Sequence, residues 1–149
     1  MMTEKELSSI VAGFWDHTLP AEEWTHMAHL IVGLHTACHY ELETSIEKLR
    51  EGIQTYNVAN GTQNTDSSGY HETITVFFAH AMRAFNQRFE PDADFAQKVE
   101  RLQSSVLIKP AFMFSFYSKD YLFTVEARRG LVPPDLRPLS DLVDEPFFK

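Results

Sequence analysis

Four of the seven histidines fall between Leu19 and His39, and two of them, His26 and His29, are three residues apart. On a helix that spacing puts two imidazoles about 60° apart, since each residue turns about 100°. Glu22 lies one turn earlier, about 40° to the other side of His26. Two imidazoles and a carboxylate on one stripe are a donor set for a divalent metal. A later segment, Gly69-Tyr70-His71-Glu72-Thr73, opens another helix with a third imidazole, the natural donor from a facing helix. Glu72 points about 100° away from His71. Its role is a ligand in an irregular first turn, a carboxylate behind the ligands, or a base. The expected site is therefore His26, His29, His71 and Glu22 as metal ligands, with Glu72 as the catalytic group. Zinc suits these donors first; nickel, iron and copper also accept imidazole. An open coordination position would support metal-assisted hydrolysis or small-molecule activation.

Other histidines read differently. His35 and His39 lie on another face near the end of the same helix, where imidazolium is favoured and solvent accessible. His80 is mid-helix and His17 is in a turn. The stretch Asn64 to Gly69 imitates half a calcium loop, but Thr75 stands where a bidentate glutamate is needed. No glycine-rich phosphate loop or nucleophile elbow is present. Cys38 sits on an apolar helix face and reads as core. Tyr117, Tyr121, Arg128 and Arg129 read as packed rings and a solvated helix end.

Helices must position these groups. Apolar residues recur at three and four through Thr3 to Phe14, then at Trp24, Met27, Ile31, Leu34 and Cys38. Pro20 fits the first turn of that second helix, with Glu22 and Glu23 at its positive end. Gly33 and Ala37 let a neighbouring helix come close. A third helix spans Glu41 to Asn60, and the loop Thr62 to Gly69 follows. The fourth runs from about Tyr70 to Arg88, capped by Ser67 or Ser68. A fifth starts at Asp92 or Asp94 and runs through Leu102. A last helix is expected from Ser118 to Arg129, before a proline-rich tail that wraps the surface. Val106 to Ile108 is the one strand-like run. The class is all-α: a single domain over 1–149, built as a bundle of five or six helices with an irregular tail.

The bulk composition agrees. A chain of 149 residues suits one domain, and 12 phenylalanines imply an aromatic core. A formal charge of -8 argues against nucleic acid and against anionic membrane. One cysteine excludes an internal disulfide and suits a reducing cytoplasm. No basic-then-apolar leader or long apolar span is read.

The segment Trp24-Thr25-His26-Met27-Ala28-His29-Leu30, with Asn64-Thr65 and Gly69-Tyr70-His71-Glu72-Thr73-Ile74-Thr75, resembles a family of small uncharacterised bacterial proteins. The shared pattern is LP-x-x-x-W/F-T-H-x-x-H-L, then G-Y-H-E-T-x-T. The resemblance covers most of the chain and implies that His26, His29, His71 and Glu72 share a site; it carries no activity. The histidine pattern is more loosely similar to DinB-like bundles, by analogy alone.

Two other functions fit the same residues. One is a metal-free small-molecule-binding module, with His26, His29, Tyr70 and His71 in a pocket walled by Trp24, Phe112, Phe114 and Phe116. The other is an oligomeric scaffold, in the simplest case a homodimer, joined through exposed aromatics.

Overall fold

The computed structural model describes residues 2–148. Five helices of nine residues or more form the body: α1 Glu4–Trp15, α2 His26–His39, α3 Leu42–Ala59, α4 Glu72–Asn86 and α5 Phe95–Gln103. Two short helices follow, α6 Lys119–Leu122 and α7 Val125–Arg129. They replace the single helix expected over Ser118 to Arg129. The break falls at Phe123-Thr124, where Thr124 caps α7 by accepting the Ala127 N–H on its hydroxyl. No strand occurs among the described residues, and Val106–Ile108 is a single 3-10 turn.

Helix α1 starts in a reciprocal cap: the Glu6 N–H donates to Thr3 Oγ1 at 3.1 Å and the Thr3 N–H to Glu6 Oε1 at 3.3 Å. Helix α2 does not begin at Pro20. Ala21–Glu23 form a separate 3-10 turn, and Thr25 is extended, with its hydroxyl accepting the Ala28 N–H. A threonine cap beats the proline start because it satisfies a free amide of the first turn. Glu22 is thereby off the helix, and the stripe it was to share with His26 and His29 does not exist.

Helices α2 and α4 are the central pair, with α3 against both and α1 against α2. At Gly33 α2 packs tightly on α4, for a Cβ there would lie 3.2 Å from Met82 Cγ. The main core gathers Leu30, Ile31, Leu34, Phe77, Met82, Phe85, Phe116 and Tyr117. A second cluster joins Phe14, Leu19, Val32, Leu49 and Tyr56 between α1, α2 and α3. Each such side chain withdrawn from water contributes about 1.5–3 kcal/mol.

The tail is not confined to the surface. It carries a 3-10 turn at Leu139–Asp144, Leu142 and Phe147 are buried, and the Val106 N–H donates to the Phe147 carbonyl at 2.8 Å. No described helix is long and apolar enough to cross a membrane.

Candidate functional site

The second histidine motif is consumed by the fold. His71 is the residue that caps α4, in place of the expected Ser67 or Ser68. The Ile74 N–H donates to its Nδ1 at 3.1 Å, so that nitrogen carries no proton. Its Nε2 lies 2.8 Å from the Leu122 carbonyl, which can only accept, so Nε2 carries the hydrogen. Both ring nitrogens are occupied. Burial holds the His71 pKa below its ordinary value.

Glu72 is equally committed. Arg50 donates to it twice, and the Tyr70 hydroxyl donates to Oε1 at 2.5 Å. The Arg50 hydrogen bonds hold the Glu72 carboxyl below the usual range, and burial only partly opposes them. A carboxylate so engaged is a poor base. The surrounding residues tie the loop down. The Asn64 Oδ1 accepts the Tyr70 N–H at 2.9 Å, and Thr73 Oγ1 donates to the Gly130 carbonyl at 3.0 Å. Gly69 has φ +76°, and a Cβ there would meet the Gln63 carbonyl at 2.5 Å.

The first motif keeps free chemistry. His26 Nε2 lies 3.0 Å from the Leu107 carbonyl and His29 Nδ1 lies 2.7 Å from the Thr25 carbonyl. Carbonyls accept only, so each of these nitrogens donates, and in the neutral ring the opposite nitrogen bears a lone pair. No buried side-chain nitrogen or oxygen lacks a partner among the described residues. The unpartnered Nδ1 of half-buried His26 is therefore reached by solvent. The His29 ring stacks on Trp24 at 3.7 Å, and Trp24 stacks on Phe14 at 4.5 Å. His29 is exposed to solvent, yet the protein packed around its ring pushes its pKa down to about 4, with the Thr25 carbonyl opposing the effect and repulsion from His26 adding to it. The ring lines a concavity. Water at its open edge softens the shift without changing its sign.

That concavity is a cavity of about 320 Å³ between α2, α3 and α4. Trp24, His26 and His29 stand on one side, and Leu30, Leu49, Ile53, Ile74, Phe78 and Met82 form apolar wall. Among the described residues, none that lines it is charged. Its floor passes over Gly33, where α2 and α4 touch.

The expected four ligands are thus divided. His26 and His29 share the cavity; His71 and Glu22 do not line it, and Glu72 lines a separate polar depression with Arg50 and Arg128. Among the described residues, no group of three or more His, Cys, Asp or Glu is placed to hold a metal. Tyr70, His71, Phe112, Phe114 and Phe116 are not in the cavity wall either; Phe116 is fully buried in the core. Tyr117 and Tyr121 are packed, each donating to a carbonyl at 2.7 Å, from Val132 and Pro133 respectively.

Sequence reasoning missed Arg50 and the Leu107 carbonyl. Neither has a local signal, for Arg50 reads as one more charge on α3. It also missed the walls on α3 and α4, although their apolar periodicity placed them facing inward.

A larger depression, about 970 Å³, lies elsewhere, between α1, α2 and α5, and holds His35, Cys38, His39 and Lys98. Buried Lys98 donates to Asn86 Oδ1 at 2.9 Å and faces Cys38 Sγ at 3.6 Å. Asn86 and Cys38 stand in the last turns of α4 and α2, whose negative ends suit an ammonium. Lys98 is therefore accounted for as a structural cation. Comparison with protein-family models, with curated proteins and with solved structures found no match.

Proposed function

We propose that this protein is a small-molecule-binding helical domain whose site is the His26–His29 cavity. The observation that supports it is the pairing of two imidazoles, each with one lone pair left open, with an uncharged apolar cavity. Ligand sites are mostly apolar with few convergent polar groups, and about 320 Å³ lies at the small end of their range. A neutral dye, dansylamide, tests it: its fluorescence rises on transfer to an apolar site. Wild-type protein is expected to enhance it, and Ile53→Trp, which adds bulk at a half-buried wall position, to abolish the enhancement. No enhancement by wild type would count against the reading.

A second reading keeps a metal. Each imidazole donates to a backbone carbonyl, which fixes the tautomer and presents the other nitrogen, as histidine ligands do. His26 and His29 would then be two ligands of zinc, or of nickel, iron or copper, with water completing the shell for hydrolytic chemistry. Elemental analysis of untagged protein decides it: metal near stoichiometry that is lost in His26→Ala supports this reading. A cytoplasmic home accords with the lone half-buried Cys38.

A further inference from the structure

The polar residues that line the cavity are not evenly divided between donors and acceptors. His26 Nε2 spends its hydrogen on the Leu107 carbonyl, and His29 Nδ1 spends its own on the Thr25 carbonyl. Thr75 lines the same cavity, and its hydroxyl donates to the His71 carbonyl at 2.9 Å. What remains on these residues is acceptor capacity: a lone pair at His29 Nε2, at Thr75 Oγ1 and, in the neutral ring, at His26 Nδ1. The Trp24 indole N–H is the one side-chain donor in the lining. Beyond their first turns the amides of α2 and α4 are bonded within their own helices, and those of Ala28 and Ile74 go to the capping side chains. Phe78 adds an aromatic ring to the lining, while Trp24 is stacked on His29 and Phe14, and no Asp, Glu, Lys or Arg is among the described lining residues.

We infer that the ligand is a neutral aromatic molecule bearing a hydroxyl, of the phenol class. This inference rests on the reading of the cavity as a small-molecule site. A phenol donates its O–H to an imidazole lone pair and can accept from the Trp24 N–H. An ether of the same shape leaves the imidazoles unpaired and has no proton to offer. A carboxylate brings a charge into an apolar cavity without a cation to meet it, and meets lone pairs instead.

The test is titration of the full chain at pH 7.5 with three probes: para-ethylphenol, its methyl ether and para-ethylbenzoate. Binding is followed by the Trp24 indole resonance. At that pH the His29 ring, with its pKa pushed down to about 4, is neutral. The phenol is expected to bind about tenfold more tightly than the ether and the benzoate, the ratio expected for one hydrogen bond to a site that otherwise stays unpaired. His29→Phe is expected to shrink the ratio of phenol to ether affinity. Equal binding of phenol and ether by wild type would overturn the donor inference and leave the cavity reading standing. Tightest binding by the benzoate would overturn it as well. Binding of none of the three would remove the cavity reading itself, together with everything inferred from it.

Discussion

Arg50 and Glu72 meet through two parallel hydrogen bonds, Nε to Oε1 at 2.9 Å and Nη2 to Oε2 at 2.6 Å. The pair fastens the first residue of α4 to the middle of α3, and Tyr70 adds a third bond to the same carboxylate. Arg50→Met would leave Glu72, only 9% exposed, without its counter-charge. Because the Arg50 side chain is 41% exposed, water screens the pair, and the expected loss is about 1–2 kcal/mol rather than that of a fully buried pair. The sign with pH follows. The Glu72 carboxyl is lowered in the fold, mainly by the Arg50 hydrogen bonds. Its contribution is present above about pH 4.5 and is lost as pH falls through the folded value. Urea unfolding at pH 7 and pH 3.5 should show a large difference between wild type and Arg50→Met at the first pH and a small one at the second.

The His71 side chain replaces the serine or aspartate that usually caps a helix, so its substitutions should separate two roles. His71→Ala loses the cap to Ile74 and the bond to Leu122, and should cost about 2 kcal/mol. His71→Asn restores a capping oxygen and should recover about half. Burial lowers the His71 pKa, so the unfolded chain binds the proton more readily. Stability from this group is complete above about pH 6.5 and declines as pH falls through the folded value. Thermal melts from pH 8 to pH 5 should show that decline shrink in His71→Asn; an unchanged slope would rule out His71 as its source.

The stack of His29 on Trp24 makes the imidazole readable by fluorescence, since imidazolium quenches indole more strongly than imidazole does. With the His29 pKa pushed down to about 4, emission should stay flat from pH 8 to pH 5.5 and fall below pH 5. His29→Phe should remove that step. A midpoint near 6.5, the ordinary histidine value, would show that the ring is not desolvated.

Two glycines with positive φ offer a paired control. Gly61 has φ +82° and open space where a Cβ would go; Gly69 has φ +76° and backbone 2.5 Å away. Gly61→Ala meets only the left-handed backbone cost, about 1 kcal/mol. Gly69→Ala adds a collision with the Gln63 carbonyl and should cost more than about 2 kcal/mol. Chemical denaturation of the two variants should rank them in that order.

His17 has φ +66° and is the one described residue other than glycine with a positive value. It sits just past α1, where the chain turns back so that Gly13 accepts the Thr18 and Leu19 amides. His17→Gly relieves the side-chain strain and should raise stability by about 1 kcal/mol, visible as a higher melting temperature.

Much of the fold was legible. The stripes of α1, α3 and α4 were read within two residues at most ends, because a helix repeats its environment every three or four positions. The start of α2 was not, since Pro20 and Thr25 both signal a helix start and only geometry chose between them. The site was legible in half. The His26–His29 pair does face a common space. Its expected partners do not, for His71 is spent on its own helix and Glu72 on Arg50.

The sequence by itself determined that this chain is helical, where its apolar faces run, and that two imidazoles share one ridge. These are local matters, decided by spacing of a few residues. Only the tertiary structure decided which nitrogens remain open. His26 is oriented by the carbonyl of Leu107, His71 by that of Leu122 and Glu72 by Arg50. Those partners arrive from other elements, and the packing of α2, α3 and α4 brings them into hydrogen-bonding reach.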